Sequence, residues 1–221
     1  MINLPKSQPA PECLAIEKAK ANGDYKCGTV IIRIQADFKN KCYLCEEREP
    51  SSINVEHFIP HKENKDLKFA WDNLYYACQH CNNTKLAYSD ILDPTNEDIP
   101  IHEQLRFELK PFPKEKPKIK AIPDSQTARS TANLLNRIYN GTTKLKITEG
   151  TNICDKLVRE LNTFNNLLHH FYYEPGLNED EKNELKSRIR RMLSIESSFT
   201  SFKRQIIYDN EVMRQEFADF I

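Results

Sequence analysis

The sequence lacks any long uninterrupted run of apolar residues. A membrane-spanning helix needs about 18 of them in a row, and no segment approaches that length. The first residues, Met1 to Lys6, also lack the apolar core of a secretory signal. We therefore expect a cytoplasmic protein with no membrane association, in which thiols stay reduced and paired cysteines hold metal more often than they form disulfides.

The chain also has no net charge. The 221 residues include 32 Lys and Arg against 32 Asp and Glu, so the formal net charge at pH 7 is zero. Such a chain has no global attraction for a polyanion, and any binding to nucleic acid must depend on local basic patches or on a partner. The sequence shows no internal repeat, and its length allows one domain of good size or a small domain with an appended one.

Two Cys-x-x-Cys pairs stand out, Cys42–Cys45 and Cys78–Cys81. Seven cysteines placed at random over this length would give about 0.2 such pairs, so two pairs call for an explanation. Each pair aims two thiolates at one point, and together they complete a tetrahedral Zn²⁺ site that is closed and therefore structural. Metal binding would then contribute roughly 10 kcal/mol or more to folding. The alternative is four unpaired buried cysteines.

Five other cysteines and histidines have simpler interpretations. Cys13, Cys27 and Cys154 have no partner at such spacing, and we expect them to act as small apolar residues. We expect His61 to lie on a partly exposed loop, although it is also a candidate base or phosphate contact. His80 lies within the second cysteine pair, and we expect it to face solvent.

Between and after the cysteine pairs the chain reads Glu56-His57-Phe-Ile-Pro60, Asn73-Leu, and Cys81-Asn82-Asn-Thr-Lys85. This order and spacing over residues 42–85 resembles the HNH (ββα-metal) endonuclease motif, in the variant with Asn at the third position. Many members have Asp where Glu56 stands and His where Asn82 stands. The resemblance implies a nuclease that hydrolyses phosphodiester bonds with one divalent metal ion.

The resemblance also implies a role for each motif residue. Neutral His57 would be the base, since an unperturbed pKa near 6.5 suits proton transfer at cellular pH. Glu56 and Asn82, near the start of the next helix, would offer hard oxygen ligands to Mg²⁺ or Mn²⁺. Asn73 would hold the long loop that orients His57, and Lys85 would contact the scissile phosphate. Neighbours on a strand point to opposite faces, so we expect a bend at Pro60 to bring residues 56 and 57 to one site.

A second resemblance lies downstream, at Ile91-Leu-Asp-Pro94 and Glu97 to His102. It is similar to the stretch after the HNH core in a subgroup that includes the HNH subunits (PtuB) of Septu-type and retron-linked antiphage systems. Those subunits work beside an ABC/OLD-like ATPase (PtuA). The resemblance implies the nuclease effector of a bacterial defence system, acting on DNA with an ATPase partner.

The rest of the chain predicts an α+β protein: a small ββα-metal module with cysteine knuckles, then a mostly helical C-terminal half. We divide it into an N-terminal extension (1–41), the nuclease module with a Pro-rich extension (42–123) and a helical region (124–221). Thr29 to Ile34 is either a strand or a buried helix. Lys110 to Lys120 interleaves Lys with Pro, which favours an extended linker over a phosphate-tracking arm.

Helical periodicity dominates after Asp124. One helix carries apolar residues from 128 to 138 and ends at Gly141, and a second carries them from Cys154 to Phe171 and places His169 and His170 on its surface. Asn178 is a predicted N-cap for a third helix. Residues 199–221 repeat apolar side chains at helical spacing, which favours closure of the helical core over a docking surface for a partner.

Two other functions remain open at the sequence level. The first is a non-catalytic zinc ribbon that binds nucleic acid or protein, for which the four cysteines alone would suffice. The joint presence of Glu56, His57, Asn73 and Asn82 favours the nuclease over this alternative. The second is an RNase of the same fold, although no residue recognisably reads a 2′-hydroxyl group.

Overall fold

A computed structural model describes residues 1–86, 88–110 and 115–221. The first part of the chain contains these elements: α1 (Cys13–Ala19), α2 (Gly28–Asp37), β1 (Ile53–His57), α3 (Lys65–Phe69), β2 (Leu74–Cys78), α4 (Gln79–Lys85), α5 (Ile101–Gln104), β3 (Leu105–Glu108) and β4 (Lys118–Ala121). The second part is helical: α6 (Gln126–Asn140), α7 (Lys144–Tyr173), α8 (Glu179–Leu193), α9 (Thr200–Tyr208) and α10 (Glu211–Glu216). This α+β arrangement matches the predicted fold class.

A short ββα unit forms the centre of the first part. Strands β1 and β2 are antiparallel, with Glu56 opposite Tyr75 and His57 opposite Leu74. All five residues of β2 are buried, and helix α4 follows it without a break because Cys78 ends the strand and caps the helix. The loop between the strands carries α3 and a 3₁₀ turn at Trp71–Asn73. This unit is the module that the sequence predicts.

The N-terminal segment contains two helices. Residues 29–34 belong to α2, whose inner face carries buried Val30 and Ile34 while Ile32 stays exposed, so the segment is a helix and not a strand. A disulfide joins Cys13 to Cys27. The expectation that these two cysteines act only as small apolar residues is wrong, because the turn after α1 returns the chain and brings their Cα atoms to 6.4 Å.

A second small sheet follows the ββα unit. Strands β3 and β4 are antiparallel, with Phe107 opposite Ile119, and both side chains are buried. The expectation of an extended linker over Lys110 to Lys120 is therefore wrong for the residues that enter β4. Residues 111–114 of that segment lie outside the described residues.

The C-terminal helices follow the predicted periodicity closely. Helix α6 ends at Gly141, whose φ of 66° is easily reached only by glycine. Helix α8 begins with a capping box, in which Asn178 and Glu181 each accept a hydrogen bond from the other's backbone N–H. The last segment differs from one continuous helix, because it breaks at Asp209 and Asn210 into α9 and α10.

Buried apolar residues form two clusters. The larger runs from Met1 through Tyr75 to Leu135 and Phe202, and the smaller joins α7, α8 and the last two helices. The larger cluster contains residues on both sides of positions 41 and 123. The division of the chain into three parts at these positions stays a prediction. Among the described residues, no helix combines the length and apolarity needed to cross a membrane.

Candidate active site

The four cysteines of the two pairs converge at one point. Their Sγ atoms all lie within 4.8 Å of one another, Cys45 and Cys78 are 4.0 Å apart, and all four residues are buried. A tetrahedral zinc ion with Zn–S bonds of about 2.3 Å separates its sulfur ligands by about 3.8 Å. The cluster therefore fits a zinc site with four thiolate ligands.

Backbone hydrogen bonds shape the two knuckles. In the first, the amide of Cys42 donates to the carbonyl of Glu47 and the amide of Glu46 donates to that of Cys42. Glu46 has a φ of 60°, which turns the chain back after the second cysteine. In the second, the Sγ of Cys78 accepts a hydrogen bond from the amide of Cys81 at 3.4 Å, so one residue is both a helix cap and a candidate ligand.

His80 does not face solvent, which corrects the prediction from the sequence. Its side chain is buried, with Nδ1 2.6 Å from a carboxylate oxygen of Glu149 and Nε2 2.8 Å from the carbonyl oxygen of Ile138. Both partners belong to the helical half, more than 50 residues along the chain. His80 thus connects the second knuckle to α6 and α7.

The imidazole of His57 is held on three sides. Its Nε2 lies 3.0 Å from the carbonyl oxygen of Lys68. The centroid of its ring lies 4.5 Å from that of Tyr25 and 4.6 Å from that of His61. Because a carbonyl oxygen only accepts hydrogen bonds, Nε2 carries the proton and Nδ1 carries the lone pair. Burial lowers the pKa of His57, partly offset by this hydrogen bond. The lowered pKa favours the neutral ring, and the hydrogen bond to Lys68 defines its tautomer.

Asn73 ties together the loop that follows His57. Its side-chain oxygen accepts a hydrogen bond from the amide of Ile59 at 2.7 Å, and its amide nitrogen donates to the carbonyls of Ile59 and Leu67 at 2.9 and 3.0 Å. The backbone carbonyl of Asn73 also accepts from the amide of Phe58. One buried side chain thus fixes both ends of the segment that leads from His57 to α3.

Glu56 lies in a buried polar cluster beside the ββα unit. Its Oε1 accepts a hydrogen bond from the hydroxyl of Tyr43 and lies 3.7 Å from Nζ of Lys85. Burial raises the pKa of Glu56 to about 7, although the positive charge of Lys85 works against the shift. Burial lowers the pKa of Lys85 in turn. The pair resembles a buried ion pair more than two free groups.

Lys85 is buried beside the end of β1. Only 1% of its surface is accessible, and its ammonium group donates to the carbonyls of His57 and Phe58 at 3.2 and 2.8 Å. A phosphate would have to displace these contacts to reach the ammonium group, and the contact of Lys85 with the scissile phosphate stays a prediction. The residue joins α4 to the end of β1, next to His57.

Glu56 and His57 are neighbours within β1, before Pro60, and their convergence on one site stays a prediction. The side chain of Glu56 contacts Tyr43 and Lys85. The ring of His57 instead contacts Tyr25, His61 and the backbone carbonyl of Lys68. Among the described residues, the polar contacts of the Glu56 side chain involve Oε1 alone. Asn82, half-buried at the fourth position of α4, makes no side-chain hydrogen bond to any of them. The uncommitted oxygens of Glu56 and Asn82 are hard donors and fit Mg²⁺ or Mn²⁺.

Comparison with known proteins agrees with this geometry. Residues 42–87 match the family model described as HNH endonuclease. The ββα unit is similar to an HNH domain. The chain is also 31% identical over 105 residues to the Septu protein PtuB of Bacillus thuringiensis. That alignment covers 42% of this chain and 40% of the relative, so the chain spans less than half the length of the curated relative it matches.

Two residues around the HNH domain have no signal in the sequence. Tyr43 lies between the first two cysteines and donates its hydroxyl to Glu56, and Tyr25 lies about thirty residues before His57 and packs against its ring. Neither spacing is periodic or part of the HNH motif. Only the fold brings these aromatic residues to the motif side chains.

Proposed function

We propose that this chain is a metal-dependent HNH endonuclease that hydrolyses phosphodiester bonds of DNA. The observation that carries the proposal is His57: within a unit that matches the HNH family model, its Nε2 is bound to the Lys68 carbonyl, and its Nδ1 makes no hydrogen bond to any described residue. A non-catalytic zinc ribbon would have no need to fix the tautomer of one imidazole. The match to the HNH endonuclease family model supports the same conclusion.

In the proposed reaction, Nδ1 of His57 takes a proton from the water whose oxygen bonds to the phosphorus atom. The bond from phosphorus to one ester oxygen breaks, and the leaving alkoxide takes a proton from solvent. The Lys68 carbonyl stabilises the imidazolium that results, because it accepts the Nε2–H throughout. Asn73 keeps the following loop in place, and so acts on the rate through the orientation of the ring. A hard divalent cation, Mg²⁺ or Mn²⁺, held by Glu56 and Asn82 would supply charge stabilisation on the phosphate.

The roles of the buried groups follow from their contacts. Lys85 neutralises part of the charge of Glu56 and holds the carbonyls of His57 and Phe58, so it positions the end of β1. Zinc bound by Cys42, Cys45, Cys78 and Cys81 would fix the start of α4 relative to β2, and hence the position of Asn82. The zinc is structural in this proposal, since protein sulfur fills all four positions.

We further propose that the nuclease is the effector of a cytoplasmic bacterial antiphage system and acts with an ATPase partner. The likeness to a Septu protein supports this assignment. The zero net charge supports it too, since a neutral chain gains little from long-range attraction to DNA and benefits from a subunit that delivers the substrate.

Cleavage assays on both nucleic acids test this function. The purified chain is incubated with supercoiled plasmid and with structured RNA, in Mg²⁺ or Mn²⁺, alone and with an ATPase subunit produced alongside it. We expect nicked and linear plasmid, and no product from His57→Ala. If the chain cleaves RNA but not plasmid, the substrate is RNA and not DNA. If it binds nucleic acid without cleavage under every condition, the zinc-ribbon alternative is favoured.

A further inference from the structure

The segment between α1 and α2 forms one wall of the candidate active site. Tyr25, in this segment, lies with its ring edge-on to His57, at a centroid distance of 4.5 Å and an interplanar angle of 60°. The ring of His61 also packs edge-on against the imidazole, at a centroid distance of 4.6 Å and an interplanar angle of 65°. Edge-to-face aromatic pairs have a preferred geometry, so these two rings restrict rotation of the imidazole about its bonds.

Several contacts hold the Tyr25 segment in place. The carboxylate of Glu17 accepts a hydrogen bond from the amide of Asp24 at 3.0 Å. Gly23 approaches α1 so closely that an added Cβ would lie 1.8 Å from the backbone oxygen of Glu17. The ammonium group of Lys68 donates to the carbonyl of Gly23 at 3.3 Å. Lys68 therefore contacts the segment through its side chain and His57 through its backbone carbonyl.

The disulfide closes this segment. Cys13 is the first residue of α1 and Cys27 is the N-cap of α2, two residues after Tyr25, so the bond joins the N-terminal ends of the two helices and closes a loop that contains Tyr25. A crosslink this near to Tyr25 limits how far the segment can move from the imidazole. Without it, the segment would depend on noncovalent contacts, among them the hydrogen bonds described above, the bond from Lys65 to the carbonyl of Lys20 and the packing of Tyr25 against the apolar core.

We propose that Tyr25 is a positioning residue for His57, and that the Cys13–Cys27 disulfide makes this positioning dependent on the redox state of the chain. The inference rests on the proposed nuclease function. Tyr25 touches neither the substrate nor the metal in this scheme. It acts by keeping the free Nδ1 of the imidazole aimed at the attacking water, and small errors in such alignment are costly to the rate.

Reduction of the disulfide needs a defined partner, a small dithiol such as dithiothreitol. The dithiol delivers two electrons and two protons to the S–S bond, which yields two thiols, and it closes into its own cyclic disulfide. In the oxidised chain, the imidazole of His57 stays aligned. In the reduced chain, the imidazole is more mobile.

The first test separates positioning from folding. We expect Tyr25→Ala to lower kcat for plasmid cleavage about 10-fold with little change in KM, because the substrate contacts remain. Tyr25→Phe keeps the ring and should restore most of kcat. Tyr173→Ala, at a residue that is 74% exposed on α7, is the matched control and should cleave like the parent. A Tyr25→Ala variant with parental kcat would overturn the proposal.

The second test uses the crosslink. Thiol alkylation and mass spectrometry first establish that Cys13 and Cys27 are joined in the purified chain. Dithiothreitol should then lower the kcat of the parent, whereas Cys13→Ser/Cys27→Ser should show the low kcat with or without dithiol. Zinc content is measured in each sample, and it must stay constant for the comparison to hold.

The outcomes distinguish the two proposals. If the parent cleaves no nucleic acid, the nuclease function itself fails. If the parent cleaves, but its rate is the same oxidised and reduced at constant zinc content, the redox part of the inference is refuted. If Tyr25→Phe is as slow as Tyr25→Ala, the aromatic contact is not the cause and the positioning role is refuted.

Discussion

The carbonyl oxygen of Lys68 lies 3.0 Å from Nε2 of His57. Since this oxygen can only accept, the contact fixes the imidazole proton on Nε2 and leaves Nδ1 as the basic atom. Lys68 is the residue before Phe69 at the end of α3, within the loop that Asn73 holds at both ends. The tautomer of the proposed base therefore depends on how that loop is folded.

The Asn73 contacts predict a loss of both stability and rate. Asn73→Ala removes three side-chain hydrogen bonds to the loop, each worth about 1 kcal/mol net. We expect the free energy of unfolding to fall by roughly 2–4 kcal/mol in urea titrations, and kcat to fall as well. Asn54→Ala removes one hydrogen bond between exposed side chains of Asn54 and Gln79 and is the control. Equal stability of the two variants would contradict the proposed role of Asn73.

The cysteine cluster predicts that zinc supports the fold. Cys42→Ser and Cys81→Ser should each lose zinc, measured by elemental analysis, and should melt at a lower temperature because the buried ligand set is broken. Cys154→Ser changes a cysteine outside the cluster and should keep both zinc and melting temperature near those of the parent. If all three variants melt alike with full zinc, the four-thiolate site is wrong.

The proposed metal ligands predict a change in metal dependence. Glu56→Gln and Asn82→Ala each remove or weaken one oxygen donor, so the Mg²⁺ concentration for half-maximal cleavage should rise at least about 10-fold. Asn83→Ala, at the next position of α4, is the matched control for Asn82. Its side chain accepts a hydrogen bond from Gln79. An unchanged Mg²⁺ titration for Glu56→Gln and Asn82→Ala would exclude both residues as ligands.

Lys6 predicts a pH dependence of stability in alkaline solution. Its ammonium group donates to the carbonyl of Leu74 at 2.8 Å and lies 3.9 Å from the centroid of the Trp71 ring, and burial lowers its pKa from 10.5 to about 8. Between pH 8 and 10.5 the unfolded chain holds a proton here that the folded chain has lost. This group therefore makes the free energy of unfolding rise with pH across that window.

Urea titrations at pH 7, 8, 9 and 10 measure this contribution. The slope of unfolding free energy against pH should be smaller in Lys6→Met than in the parent over that window, because the titrating group is gone. Lys118→Met, an exposed exchange on β4, controls for the loss of one positive charge. Identical slopes for the parent and Lys6→Met would contradict the shifted titration.

Local sequence signals predicted the elements whose residues are close in the chain. The spacing of Cys78, Cys81 and Asn82 fixes the start of α4, because a helix cap and its first turn involve neighbouring residues. Asn178 and Gly141 mark helix ends for the same reason. The convergence of the two cysteine pairs was predictable too, since zinc chemistry imposes a common point on them.

Long-range contacts explain what the sequence did not reveal. His80 is buried because Glu149 lies against it, 69 residues away, and Cys13 meets Cys27 because a turn reverses the chain. The burial of Lys85 follows from carbonyls at the end of β1, which no pattern around Lys85 indicates. These contacts depend on how elements pack, and periodicity and spacing report only on residues within one element.

The most direct test of the account is the initial rate at which the zinc-loaded chain nicks supercoiled plasmid in Mg²⁺ or Mn²⁺, for the parent, His57→Ala and His169→Ala. Loss of a general base typically costs 10²–10⁴-fold. We predict a loss on the order of 10² or more for His57→Ala, with parental zinc content and melting temperature, and a parental rate for His169→Ala, an exposed helical histidine. A His57→Ala variant that nicks plasmid at the parental rate would contradict the account.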